Sequence, residues 1–365
     1  MSYYSSKEIR KRQAHYNLIY GERSNGKTFD IIKLGFEDFI SSGEVNQLGL
    51  IRRHEEDFIG AQSARTVYNS LMCDGNGENQ IEKISKGKYT GVEYWGGRYF
   101  LTYQKEDKII KTDKVIAYGF SINNSEHYKS ASFPHIRTIL FDEFMTRKSY
   151  LADEFIMFQN LLSTIIRRRS DVTIFMCANT VNKFCPYFAE MGLYRVKNMR
   201  QGEIDTYTYG ESGLKVAVEY VSESDKKSKP SNVYFAFNNP RLQMITSGSW
   251  EIDIYPHLPI KYRPKDVRFN FFIIFDGDTL HCEVIKRDNN FFIYIHRKTT
   301  PIQNENKDLV YTLTPSPKVN YRENLLQYTN EVEKRIVQLF AKKKVFYQDN
   351  EVGEIVRNYL NECRK

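Results

Sequence analysis

The sequence predicts an α/β fold: a mainly parallel sheet with helices on both faces, then a linking module and a smaller α/β domain. Three observations predict it. An apolar strand, a glycine-bearing loop and an amphipathic helix follow one another over 15–40. Strand-sized apolar runs then alternate with helical spacing as far as Cys177. Beyond about Arg200 the texture changes to Tyr/Thr-rich strands, a polar run (SESDKKSKPS, 222–231) and a β-meander. The expected boundaries are 1–200, 201–262 and 263–365.

Taken in order, Tyr16–Tyr20 reads as a short buried strand. The segment FDIIKLGFEDFI after the loop places Phe29, Ile32, Leu34 and Phe36 among polar residues, as a half-buried helix does. Gln47–Arg52 is a second strand, ending in the basic pair Arg52-Arg53. From Gly87 to Phe120, glycines and tyrosines alternate with charges, the signature of hairpins. Arg137–Phe144 (RTILFDEF) is a compact apolar run ending in two acids. The spacing of Phe155, Phe158, Leu161, Leu162, Ile165 and Ile166 predicts a helix over 153–169, and Val172–Cys177 a third core strand. The meander comprises Phe269–Phe275, Thr279–Ile285 and Phe291–His296. Two helices, 321–343 and 350–363, close the chain.

Composition bounds the function. The chain has 365 residues, 41% hydrophobic, 14% aromatic and 27% charged, which excludes a largely disordered polymer. No run approaches the ~20 apolar residues of a membrane span, and the start has no apolar signal core. Five scattered cysteines without a CxxC pair argue against a disulfide frame or zinc site and for a reducing cytosol. The net charge of +8 permits a polyanionic partner without naming one.

The strongest motif is Gly21-Glu22-Arg23-Ser24-Asn25-Gly26-Lys27-Thr28, which fits G-x-x-x-x-G-K-[ST] at every fixed position. Its glycines let the backbone turn successive N–H groups inward onto a phosphate, and the helix beginning near Lys27 adds its positive end. Lys27 reaches the β- and γ-phosphates of ATP, and the Thr28 hydroxyl sits on Mg²⁺. The strand before and the helix after are the context this P-loop needs. The second motif is Ile139-Leu140-Phe141-Asp142-Glu143. Asp142, at a buried strand end, is placed to hold Mg²⁺, and Glu143 to act as base on the attacking water.

Strand 47–52 intervenes between the two motifs, and Glu follows Asp. Both features resemble the additional-strand, catalytic-glutamate division of P-loop ATPases. Asn179, after the third core strand, is there a candidate γ-phosphate sensor; equally, it opens a turn. Arg167-Arg168-Arg169 at a helix end either complements the helix dipole or supplies an arginine finger to a neighbouring subunit. Arg23, Arg52, Arg53 and Lys129 are further basic candidates for nucleotide or DNA contact. Asp276 and Asp278 (FDGDT) read more simply as a hairpin turn than as a two-metal nuclease pair.

The segments GERSNGKT, TILFDEF (138–144), NLLSTIIRRR (160–169) and ANTVNKFCPYF (178–188) resemble the compact DNA-packaging ATPases of small tailed bacteriophages. The resemblance spans about residues 15–200 and continues more loosely, as in YQDNEVGEIVRNYL (347–360). It implies an ATP-driven translocase that encircles double-stranded DNA as a homomeric ring of five subunits, docked on the phage portal with a scaffolding RNA ring. The location it implies is the host cytoplasm, transiently attached to the procapsid. It further implies a C-terminal domain shaped like an RNase H-type nuclease but lacking its metal acids. By position it makes Arg167 the finger acting in trans and Lys129 a basic residue of the subunit interface. Glu55 and Glu56 depart from the pattern, since further positive charge is expected there. The rival readings are a nucleotide-dependent switch and a helicase.

Overall fold

The apolar runs of the first two-thirds of the chain lie side by side in one sheet. In a computed structural model the described residues are 3–60, 64–147, 149–221, 244 and 249–364. The strands of this sheet are β1 (Tyr16–Gly21), β2 (Gln47–Arg52), β3 (Gly91–Trp95), β4 (Arg98–Lys105), β5 (Lys108–Ser121), β6 (Ile136–Asp142), β7 (Thr173–Asn179), β8 (Ile204–Tyr209) and β9 (Leu214–Tyr220). Their order is β3-β4-β5-β2-β6-β7-β1-β9-β8. The pairs β5–β2, β2–β6, β6–β7, β7–β1 and β1–β9 are parallel, and antiparallel hairpins β3–β4–β5 and β8–β9 flank them.

Parallel strands covered on both faces are apolar without alternation, and β1, β2 and β6 are buried along nearly their whole length. Short helices α1 (Lys7–Arg10), α3 (Asn69–Met72), α4 (Gln80–Ile84) and α6 (Pro186–Glu190) accompany two longer ones, α2 (Lys27–Ser41) and α5 (Glu154–Ile166). One core cluster joins Ile31, Ile32, Phe36 and Phe39 of α2 to Ile19, Leu50 and Leu140. The other joins Phe158, Leu161, Leu162 and Ile165 of α5 to Leu18, Ile139 and Phe141. Neighbours along each strand thus feed opposite layers, and the two long helices cover opposite faces.

Strand β2 separates the two motifs in sequence, as expected, and β7 lies between β1 and β6 in the sheet. Two expectations change here. Strands β8 and β9 extend the first sheet, so the first compact unit runs Met1–Glu251 and the second Ile252–Lys365. The expected module of 201–262 is therefore divided between them, and its polar run, 222–231, lies outside the described residues. The helix expected through Arg169 ends at Ile166, because Arg167 (φ 45°) and Arg168 (φ 63°) turn left-handed.

The second unit holds β10 (Val267–Phe275), β11 (Asp278–Arg287), β12 (Asn290–Arg297), β13 (Leu309–Thr312), β14 (Tyr321–Arg322) and β15 (Val345–Tyr347), ordered β14-β13-β10-β11-β12-β15. The meander β10–β11–β12 is antiparallel, and the remaining strands add in parallel. Helix α8 (Asn350–Glu362) buries Val352, Ile355, Val356 and Tyr359. Helix α7 is Glu331–Ala341, not 321–343. Tyr321-Arg322 pairs as a strand, and the Asn330 side chain caps the helix by accepting from the Glu333 N–H. Among the described residues no helix is long and apolar enough to cross a membrane.

Candidate active site

Four strand ends meet at one level. Gly21 of β1 pairs with Asn179 of β7, Cys177 of β7 with Asp142 of β6, and Phe141 of β6 with Ile51 of β2. In an open α/β sheet, ligands bind outside the carboxyl ends of the strands. There the chain makes a cavity of about 280 Å³, lined by Ser24–Phe29, Asp142, Glu143, Ala178 and Asn179.

The loop 21–28 leaves β1 and enters α2. Gly26 caps α2 at φ 94°, and Tyr3 occupies the space a Cβ would need, 3.0 Å away. At Gly21 a Cβ would lie 3.0 Å from that of Val221. Lys27 is buried, and its Nζ donates only to neutral acceptors, the Glu22 carbonyl at 2.5 Å and Asn25 Oδ1 at 3.1 Å. Burial lowers its pKa to about 8, against the pull of Asp142 and Glu22. Among the described residues this ammonium has no carboxylate in contact, and it stands at the N-terminal end of α2, which favours negative charge. Arg23 instead reaches away, pairing with Glu251 at 3.0 Å.

Thr28 Oγ1 donates to Asp142 Oδ1 at 2.7 Å, so the hydroxyl and the carboxylate assigned to the metal stand together. Burial raises the Asp142 pKa, opposed by Arg52 and by the Thr28 hydrogen bond. Glu143 follows at φ 60°, with its carboxylate exposed at the cavity. Arg52 bridges the two acids: its guanidinium lies 2.8 Å from Asp142 Oδ2 and 2.8 Å from Glu143 Oε2. Asn179 is the last residue of β7 and lines the cavity, as a sensor must.

The arginine triplet divides its work. Arg169 donates to the carbonyls of Ile165 and Ile166 and to those of Phe133, Pro134 and Ile136, closing the end of α5. Arg167 donates to the carbonyls of Lys129, at 3.3 Å, and Ala131, at 2.6 Å. The two residues expected at a subunit interface thus share one edge, and neither lines the loop cavity of its own chain. The Lys129 ammonium pairs with Glu126. Asp276 sits in the expected turn at φ 54°, and Asp278 pairs with Arg297 at 3.0 Å.

The profile of the podovirus DNA encapsidation protein (Gp16) family matches residues 1–364. The chain belongs to that family. It is 22% identical over 331 residues to the DNA packaging protein of Bacillus phage phi29, covering 90% of this chain and 86% of that one. With the DNA packaging protein of Bacillus phage PZA it shares 23% over 336 residues, at the same coverages. Its fold is that of a chain in the bacteriophage phi29 genome packaging motor assembly (TM-score 0.56, 21% identity, 99% and 98% covered). A chain of the phi28 DNA packaging motor has the same fold (TM-score 0.53, 16% identity, 100% and 98% covered).

Two residues of this encapsidation protein acquire roles the sequence did not give them. Arg52 and Arg53, read as candidates for nucleotide or DNA contact, are both buried and turned inward onto acids. The signal was present, since an arginine closing an apolar strand needs an acid. Only the register of β2 against β6, which sets Ile51 opposite Phe141, shows which acid it finds. Glu154 gave no signal at all, because an acid at a helix start is ordinary.

Proposed function

We propose that this encapsidation protein is an ATP-driven double-stranded DNA translocase that moves the viral genome through the portal into a preformed capsid. The observation that carries this is the convergence of Lys27, Thr28, Asp142, Glu143 and Asn179 on one cavity. The active form is a homomeric ring of five subunits on the portal with a scaffolding RNA ring, in the host cytoplasm and transiently on the procapsid. The packaging roles of the phi29 and PZA relatives support that setting. The sheet of the second unit, a meander extended by parallel strands, supports an RNase H-type shape there.

The residues present fit Mg²⁺ and a triphosphate. Thr28 and Asp142 offer hard oxygen donors side by side, and Lys27 is a buried cation in search of an anion. When bound at Thr28 and Asp142, Mg²⁺ offsets the charge of the β- and γ-phosphates. The loop N–H groups and Lys27 orient the phosphates. Glu143 takes the proton of a water that attacks the γ-phosphorus, the bond to the β-phosphate oxygen breaks, and ADP and phosphate leave. In the state described here Glu143 is tied to Arg52, so it must leave that ion pair to receive the proton. Asn179 senses the γ-phosphate. Arg167 of one subunit, with Lys129 beside it, completes the neighbour's site when the ring closes.

The test is the ATPase rate of the full chain with and without portal-bearing capsids and double-stranded DNA. Stimulation accompanied by DNA uptake, with the strands left paired, is expected. A rate indifferent to DNA and capsid would contradict the reading.

A further inference from the structure

We infer that the buried Arg53–Glu154 pair is a positioning device for Glu143, holding the backbone of that residue in the left-handed turn that aims its carboxylate at the cavity. The inference rests on the reading of Glu143 as the base, and it concerns what fixes that base in place.

Arg53 adjoins Arg52 but serves a different partner set. Its Nε donates to both carboxylate oxygens of Glu154, at 3.0 and 2.8 Å. Its two terminal nitrogens donate to successive carbonyls, Glu143 O at 3.2 Å and Phe144 O at 2.7 Å. The guanidinium lies 5.1 Å from the Tyr150 ring centre and 5.9 Å from that of Phe141. Glu154 is equally engaged, its carboxylate accepting from the Leu151 N–H and the Tyr187 hydroxyl, each at 2.9 Å. Both side chains are buried. A guanidinium suits this site because its donors form a rigid fork over three nitrogens, whereas an ammonium carries its three donors on one nitrogen and does not span acceptors spread this way.

A glutamate at φ 60° is in a conformation that costs free energy and persists only where its surroundings over-determine it. Arg53 grips the carbonyl of that residue and the next. On the other side of the turn, the Phe144 N–H donates to Cys177 O of β7 at 3.3 Å. The peptide is thus pinned by Arg53, the residue after β2, and from β7, while Glu143 lines the cavity. Among the described residues Arg53 makes no hydrogen bond to the loop 21–28, and it meets the cavity lining through the main-chain carbonyl of Glu143, so its loss should spare nucleotide binding and fall on turnover.

The experiment compares Arg53→Lys, Glu154→Gln and Glu143→Gln in the full-length chain, under conditions where the parent hydrolyses ATP. Melting reports folding, a fluorescent ATP analogue reports Kd, and phosphate release reports kcat. Arg53→Lys is expected to fold, to keep the parental Kd and to lose on the order of 10²-fold in kcat, the scale of a misplaced catalytic group. Glu154→Gln, which keeps an acceptor oxygen but not the charge, is expected to lose less. A folded Arg53→Lys chain with parental kcat, or one whose Kd and kcat worsen equally, overturns the inference. Should the lysine variant not fold, Glu154→Gln is judged by the same split. Full turnover in Glu143→Gln would sink the base assignment and the inference with it. A dead Glu143→Gln beside a fully active Arg53→Lys would sink the positioning role alone.

Discussion

The surroundings of Glu333 in the second unit and of the strand ends in the first treat charge in opposite ways. In the second unit, Glu333 is enclosed by its partners: Arg322 Nε at 3.1 Å, the Thr329 N–H at 2.7 Å and hydroxyl at 2.9 Å, and Asn330 Nδ2 at 2.9 Å. Every lone pair is used at the start of α7, and nothing faces open space. At the strand ends of the first unit, Lys27 lacks an anion in contact, and Glu143 stands exposed with one arginine on its carboxylate. Burial of charge is common to both regions; an unfinished polar set around a cavity is found at the P-loop. The difference separates charge enclosed by a full set of partners from charge placed at an open cavity.

Exchanging one acid in each region breaks this comparison most sharply. Glu143→Gln should lower turnover by about 10²–10⁴-fold while ATP still binds, read by phosphate release and by equilibrium binding. Glu333→Gln should leave turnover alone. Lys27→Ala should abolish detectable nucleotide binding without moving the melting of the first unit, because the ammonium has only neutral acceptors to lose. Arg167→Ala should be inactive alone and should depress mixed rings more steeply than its share of subunits, as titration of mutant into parent chain would show. A proportional decline would place the residue outside the neighbour's site.

Smaller effects sharpen the contrast. Glu333→Gln should cost about 1–3 kcal/mol in urea unfolding of the second unit, the scale for a charge-assisted network losing a charge. Despite the cost of burial, hydrogen bonds from Thr329 and the charge of Arg322 hold the Glu333 carboxyl below its ordinary value of 4.5. Its contribution is therefore present above that value and lost as the pH falls through the lower folded one. Acid unfolding of the second unit should flatten in the glutamine variant, and an unchanged profile would remove Glu333 from the account.

Much of this was legible in the residues. The P-loop announces itself because its chemistry needs glycines, a lysine and a hydroxyl at fixed spacing between a strand and a helix. Asp142 and Glu143 are readable because an apolar strand seldom ends in adjacent acids beside such a loop without use for them. What was not legible depends on partners distant in sequence. Arg52 needs the β2–β6 register, Arg53 needs the left-handed turn at Glu143, and β8–β9 join the first sheet only because β1 has a free edge for β9. The end of α5 was overrun because three arginines favour helix, whereas the left-handed Arg167 and Arg168 end it. The first C-terminal helix was overrun because the Asn330 cap is invisible to apolar spacing alone.

The central claim is that the loop 21–28 and the pair Asp142-Glu143 form one nucleotide site. A crystal of the full chain soaked with a non-hydrolysable ATP analogue and Mg²⁺ tests it most directly. The account predicts the γ-phosphate beside Lys27 Nζ, with the metal between Thr28 and Asp142 and the carboxylate of Glu143 facing the phosphorus. Ordered analogue bound at any other place in the chain would contradict it.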